Sequence, residues 1–318
     1  MEDVGLPVMR YALPTPLAGE VTPRGDVGAL AALVGAGQAV VLTGAGLSTD
    51  SGIPDYRGPS SARRRHAPMT YETFVGDPAA RHRYWARSHV GWRQIATAVP
   101  NAGHRAVADL ERTGLLRGVI TQNVDGLHQA AGARDVVELH GALARVVCLH
   151  CRALLDRTEV AARLAAVNPS FDARVAEAAT AAAAGTGTAD PTAADPTAAR
   201  PDGDVELPDA ALDHFTMIDC PRCGSGPLKP DVVFFGESVP RPRVDRCFSL
   251  VDGARSLVVL GSSLTVMSGL RFVRAAARAG VPVAVVTRGP TRAEEQATVR
   301  LDAPLGEVLP ALTSALRC

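Results

Sequence analysis

With 318 residues, 47% of them apolar, the chain is long enough for one large domain or two ordinary ones around a sizeable core, which excludes a disordered or fibrous protein. Its 33 basic and 33 acidic residues cancel, so no bulk field draws it to nucleic acid or to an anionic membrane. No stretch supplies the roughly 18 continuous apolar residues of a membrane span, and residues 1–20, with Glu2, Asp3 and three prolines, lack the regions of a secretion signal. The expectation is a cytoplasmic protein with neither a membrane nor a specific nucleic-acid partner.

After a Pro-rich lead (1–24), a helix is expected over 27–33, followed by a buried parallel strand over 38–43 that empties into Gly44-Ala45-Gly46. The run from Ser48 to Gly58 is too polar and too rich in glycine for a helix and reads as a long loop over the sheet edge. Residues 59–100 hold both tryptophans and read as a small helical cap. A helix over 102–112, a strand over 118–121 and a polar loop, Gln122-Asn123-Val124-Asp125, come next; a third strand over 135–139 ends at His140-Gly141. Toward the C-terminus the cycle repeats, with strand 256–260, loop Gly261-Ser262-Ser263, helix 270–279 and strand 281–286. Alternation of this kind predicts an α/β fold with a doubly wound parallel sheet, Rossmann-like, whose ligands sit at the carboxyl ends of the strands. Residues 25–144 and 228–318 form that domain, and 145–227 interrupt it.

The interruption carries Cys148-x-x-Cys151 and Cys220-x-x-Cys223, two knuckles able to place four thiolates on one tetrahedral Zn²⁺. A full thiolate set leaves no open coordination position, so the metal is structural. Between the knuckles, 173–204 is dominated by Ala, Thr, Asp and Pro and reads as a flexible insert, although its early part could extend a helix. Cys247 and Cys318 read as plain thiols. Gly44-x-Gly46 alone is a weak dinucleotide signal: Thr49 stands where the third glycine belongs, and no acidic residue about 20 positions on suits a dehydrogenase. His140, at a strand end beside the crevice, is a candidate base, whereas His104 and His128 read as structural. Asn123 and Asp125 could equally cap a helix beginning near Gly126.

Together, the runs from Gly44 to Arg57, Thr121 to His128 and Glu138 to Gly141 resemble the sirtuin family of NAD-dependent protein deacylases. The cysteine knuckles, Lys229 to Glu237 and Gly261 to Leu264 extend the likeness in family order. Arg83 to Arg87 with Gly91-Trp92, and Tyr56 in place of the commoner Phe, look like class II, a group with many bacterial members. The resemblance implies that Gly44, Ala45, Gly46, Thr49, Asp55, Tyr56 and Arg57 form the NAD-binding loop. Gln122, Asn123 and Asp125 would serve the nicotinamide and its ribose. Gly261, Ser262 and Ser263 would hold the adenosine end, with Leu305 near the adenine and Thr287 where the family often has Asn. It implies that nicotinamide leaves, that the acyl-lysine oxygen attacks the ribose to give an alkylimidate, and that His140 then activates a ribose hydroxyl. The products are free lysine and O-acyl-ADP-ribose; NAD is a co-substrate and one Zn²⁺ is structural. Acyl-lysine peptides are expected between 233–237 and 263–267, with Phe234 or Phe235 at the lysine channel. Protein ADP-ribosylation is the alternative activity, and a silent zinc-ribbon adaptor a third. No Tyr-x-x-Arg pair for an acidic acyl group follows Gly58, and Arg63 to Arg65 read as a solvated basic run. Lys229 is the only lysine, so an enzyme acting on acyl-lysine offers almost no site for its own modification.

Overall fold

The protein is described by a computed structural model over residues 17, 21–55, 68–185, 200–207 and 209–317. The first half begins with α1 (Val27–Gly35), whose N-cap Asp26 accepts from Ala29 N–H at 2.8 Å. It leads into β1 (Ala39–Thr43), buried along its whole length. The polar stretch that follows forms no α-helix, as expected, but winds into two single 3₁₀ turns, Ala45–Leu47 and Thr49–Ser51. The cap is helical: α2 (Tyr71–Gly76) and α3 (Pro78–Thr97), the latter started by Asp77 as N-cap and Pro78 in its first turn. Then come α4 (Ala102–Arg112), with the expected bounds and a capping box from Asn101 and His104, β2 (Leu116–Thr121), α5 (Leu127–Ala130) and β3 (Val136–Glu138).

A second unit is inserted next: β4 (Gly141–Cys148), β5 (Leu154–Asp156), α6 (Arg157–Val167), α7 (Phe171–Gly185), α8 (Asp209–Leu212) and β6 (Leu228–Val232). Its antiparallel sheet has the order β5-β4-β6. The segment expected to be a flexible insert is ordered at both described ends. Residues 173–185 continue α7, an alanine-rich stretch of high helix propensity anchored by buried Phe171 and Val175. At the other end, Asp204, 1% exposed, pairs with Arg87 of α3 at 2.7 Å. Residues 186–199 lie outside the described residues.

The chain then completes the first sheet with α9 (Arg241–Asp252), β7 (Ser256–Leu260), α10 (Met267–Arg278), β8 (Val283–Val286), β9 (Val299–Leu301) and α11 (Leu305–Ala315). Strand order is β3-β2-β1-β7-β8-β9, every pair parallel. Val-rich, doubly buried strands are what a sheet covered on both faces requires. Leu30, Val107 and Leu309 belong to the apolar cluster with α1, α4 and α11; Leu250 and Phe272 belong to that with α9 and α10. A third cluster, including Trp85, Phe171 and Phe234, joins the cap to the inserted unit. The order reverses between β1 and β7, the point at which a doubly wound sheet places its ligand crevice, outside the carboxyl ends of the strands. Among the described residues no helix is long and apolar enough to cross a membrane.

Candidate active site

Two glycine-bearing loops form the base of the crevice. Gly44 donates its N–H to Leu260 O at 3.0 Å and Gly46 donates to Gly261 O at 2.9 Å. A Cβ on Gly44 would stand 2.7 Å from Ser262 Cβ, so any side chain there drives the β1 and β7 loops apart.

The β2 loop crosses this base and ties it together. Gln122 Nε2 donates to Ser262 Oγ at 2.8 Å. Asn123 Nδ2 donates to Gly44 O at 3.1 Å and to Ser48 Oγ at 3.0 Å, and Ser48 in turn donates to Asp125 Oδ2 at 2.6 Å. Burial pushes the Asp125 carboxyl above its ordinary range, against the hydrogen bonds from Ser48 and from Leu127 N–H. Asp125 Oδ1 also accepts from Leu127 N–H, in the first turn of α5, at 3.0 Å, although the N-cap position itself is Gly126. Beneath the loop, Thr121 Oγ1 accepts from Asn123 N–H at 3.1 Å and from Thr43 Oγ1 at 2.9 Å. Since Thr43 has spent its proton, His128 Nε2, 2.9 Å away, is the donor to it. His104 packs edge-on against His128, ring centroids 5.2 Å apart; both rings are buried, and burial pushes them down to about 4 and about 3.

His140 follows β3 directly. Leu139 N–H donates to Thr121 O at 2.9 Å, prolonging the parallel pairing, while His140 O already accepts from Val233 N–H at 2.8 Å. The chain passes from one sheet to the other at Gly141, where φ is +84° and a Cβ would lie 1.9 Å from Asp231 O. Only glycine can turn the backbone this way beside β6. The half-buried His140 ring sits between Gln122 O, 2.9 Å from Nδ1, and Ser268 Oγ, 2.7 Å from Nε2. A carbonyl only accepts, so Nδ1 carries the proton and Nε2 is the basic nitrogen. Burial holds the ring down to about 4, opposed by the Gln122 hydrogen bond and aided by Arg271 and Arg243, so it is a neutral imidazole at physiological pH.

The structure therefore joins Gln122 to Ser262 and His140, and Asn123 to Gly44, by direct hydrogen bonds, and reaches Asp125 from Asn123 through Ser48. Ala45, Gly46 and Thr49 lie on the adjoining turns, with Thr49 Oγ1 donating to Gly46 O at 3.1 Å. Asp55 is half-buried just beyond them, and Ser263 Oγ meets Thr265 Oγ1 at 2.9 Å. Thr287 stands at the end of β8, buried, with its N–H on Leu301 O at 3.2 Å. Leu305 opens α11 and belongs to the same apolar cluster as Leu47. Tyr56, Arg57, Arg63 to Arg65 and Cys318 lie outside the described residues. Sequence reasoning missed the contacts that Ser48, Thr43, Thr121 and Ser268 make with these residues. Ser48 stands inside the recognised run and could have been found there; nothing local marks Ser268.

The four cysteines gather at the end of β4 and just before β6. Their sulfurs lie within 4.8 Å of one another, with Cys148–Cys223 at 3.7 Å and Cys151–Cys220 at 3.8 Å. A tetrahedral Zn²⁺ with Zn–S near 2.3 Å spaces its sulfurs by about 3.8 Å, so the donor set fits that ion. Cys151 N–H and Arg222 N–H donate to the Sγ atoms of Cys148 and Cys220, both at 3.4 Å, stabilising thiolates as second-sphere donors do. Beyond β6, Phe234 is buried in the core, whereas Phe235 is half-buried and pairs its backbone with the cap, accepting from Tyr71 N–H at 2.9 Å. Lys229 is 3% exposed, bound to Glu237 at 2.9 Å and set over the Phe234 ring at 4.5 Å. Burial outweighs Glu237 and lowers its pKa. The motif residues Tyr84, Trp85 and Arg87 pack the cap onto the inserted unit, Trp85 donating to Leu228 O at 2.8 Å.

Residues 44–268 match the Sir2 family. A protein of Streptomyces coelicolor named NAD-dependent protein deacetylase 1 is 55% identical over 289 residues, 91% of this chain and 88% of the relative. One of the same name from Mycobacterium avium is 49% identical over 92% of this chain and 96% of the relative. Among solved structures, one described as Sir2-p53 peptide-NAD+ aligns with a TM-score of 0.66 at 27% identity, over 91% of this chain and 98% of that one.

Proposed function

The chain belongs to the Sir2 family and is an NAD-dependent protein deacetylase, and from that premise we propose that His140 is its general base and that the loops around it bind NAD. Acyl-lysine proteins or peptides are its substrates, NAD is the co-substrate that accepts the acyl group on its ribose as nicotinamide departs, and one Zn²⁺ is structural. Asn123 and Asp125 line the nicotinamide pocket, Gln122 meets the adjoining ribose, and Gly261, Ser262 and Ser263 hold the adenosine end with Thr287 and Leu305. The glycine loop, from Gly44 to Thr49 and on through Asp55, Tyr56 and Arg57, covers the phosphates. Cys148, Cys151, Cys220 and Cys223 hold the metal and so brace β4 and β6, the strands that continue His140 and precede Val233. The single observation carrying this reading is the His140 ring held between Gln122 O and Ser268 Oγ, its Nδ1 proton committed to the carbonyl and its basic nitrogen turned to the start of α10. We further place the protein in class II, on residues 83–87 and 91–92, and in the cytoplasm. The domain of 25–144 and 228–318 binds NAD, and 145–227 is the zinc module.

The test is nicotinamide release that depends on an acetyl-lysine peptide. His140→Ala should lower it by about 10²- to 10⁴-fold, the usual worth of a positioned general base; unchanged turnover would remove His140 from the mechanism. Label from the adenylate half of NAD remaining on protein, with no need for the peptide, would favour ADP-ribosyl transfer instead.

A further inference from the structure

Helix α10 points its N-terminal turn into the crevice. Its N-cap, Val266, has no side-chain cap, and a Cβ on Gly269 would stand 2.8 Å from Gln122 Oε1, so this turn is seated directly against the β2 loop. Ser268, 9% exposed, does not hydrogen-bond its own helix; its Oγ lies 2.7 Å from His140 Nε2. The direction of that bond is fixed by the other side of the ring. Gln122 O accepts from Nδ1–H, Nε2 therefore bears the lone pair, and Ser268 Oγ–H donates to it. The hydroxyl thus occupies the nitrogen that must later take a proton.

We propose that Ser268 is the positioning residue of the general base: its hydroxyl holds His140 in the Nδ1–H tautomer and keeps the Nε2 lone pair aimed into the crevice until the ribose hydroxyl replaces it. The inference rests on the assignment of His140 as the base. When the ribose O–H enters, Ser268 Oγ–H turns away, the ribose oxygen bonds to the alkylimidate carbon as its proton moves to Nε2, and the ring becomes an imidazolium still bound through Nδ1 to Gln122 O. Two other arrangements oppose early protonation. The α10 N-terminus presents the positive end of its dipole to Nε2. Arg271 from α10 and Arg243 from α9 are the charged groups that act on the ring, and both are cationic.

Ser268→Ala removes a donor that favours the neutral ring of the free enzyme, so the acid limb of kcat/KM should move up by about half to one pH unit, the shift equivalent to an ordinary hydrogen bond. Loss of aim should lower kcat on the plateau about three- to tenfold with KM for NAD held within about twofold, the split expected when binding contacts are untouched. Exchange of labelled nicotinamide into NAD precedes the proton transfer and should be retained, which also reports a folded variant. Ser268→Thr, keeping the hydroxyl, should restore the wild-type profile. In the unmodified protein, ¹⁵N shifts of His140 should report Nδ1–H, and this holds whatever becomes of the variants. A wild-type pH profile in Ser268→Ala, or an Nε2–H tautomer in the unmodified protein, would overturn the inference. Full turnover by His140→Ala would overturn the base assignment on which it rests, a separate and distinguishable failure.

Discussion

Three histidines outside the reaction make stability depend on acid in a way that can be measured. His89, His104 and His128 are 3%, 0% and 1% exposed, and burial pushes them down to about 4, about 4 and about 3. Unfolded, each titrates near 6.5. The folded pKa is the lower one, so as the pH drops through about 6.5 the unfolded chain takes up protons that the folded chain refuses, and stability falls. Between pH 7 and pH 5 each site loses about 1.8 kcal/mol, the three together about 5 to 6 kcal/mol, and His140, held down to about 4 as well, adds about 1.8 kcal/mol to the total. Asp202 works in the opposite sense. Pushed up to about 6 by burial and by the Asp204 charge, it gains a proton on folding in this range and offsets about 1 kcal/mol. The remainder is comparable with the whole stability of many domains, and for a chain of this size it corresponds to a fall in Tm of about 10 °C. His89→Phe isolates one site. Its ring already packs against Phe171 and Phe215 at 6.1 and 5.6 Å between centroids, so phenylalanine should fit, with the loss of a 3.3 Å contact to Arg93. Calorimetric melting with zinc saturating should show the Tm difference between pH 7 and pH 5 shrink by about a third in the variant. Equal Tm values at the two pH values in the wild-type protein, or an unchanged difference in His89→Phe, would refute the reasoning.

Two further outcomes follow from the geometry. Gly141→Ala places a methyl group 1.9 Å from Asp231 O in a left-handed backbone, so β6 must move or His140 must; acyl transfer should fall by about 100-fold while NAD binding, followed by calorimetric titration, persists. Removing the metal with a thiol-specific mercurial should release one zinc per chain, lower the Tm and abolish acyl transfer, because β4 and β6 lose the tie that steadies both sides of His140; full activity of the metal-free protein would contradict this.

The local physics of the strands and of several helices was legible. Val-rich runs bounded by glycine and proline marked β1, β2, β7 and β8, and the polar residues at their ends marked the crevice, since backbone placed at a ligand cannot carry bulky apolar side chains. The equal knuckle spacing marked the zinc ligands. By contrast, β4 and β6 were not foreseen, because an antiparallel pair closed over some 80 intervening residues leaves no short-range sign. The Asp-Pro repeats that favour a flexible excursion lie at 190–196, outside the described residues. The early part of the insert could extend a helix, and α7 does continue to Gly185 on alanine propensity and two buried anchors, Phe171 and Val175.

Lys229 separates the two kinds of knowledge. Its rarity was plain from composition, as was the scarcity of lysine for self-modification. Only the fold encloses it between Glu237 and the Phe234 ring, a place where an acyl-lysine site would not reach it. The sequence by itself determined which candidate groups the chain carries: the glycine loops, the Gln-Asn-x-Asp run, His140 and four cysteines. Tertiary structure alone decided how they are protonated and aimed, through Gln122 O on one side of His140 and Ser268 Oγ on the other. The reason is that a tautomer and a lone-pair direction depend on partners 18 and 128 residues away, and hydrogen-bond geometry between such partners exists only once the sheet has brought its strand ends together.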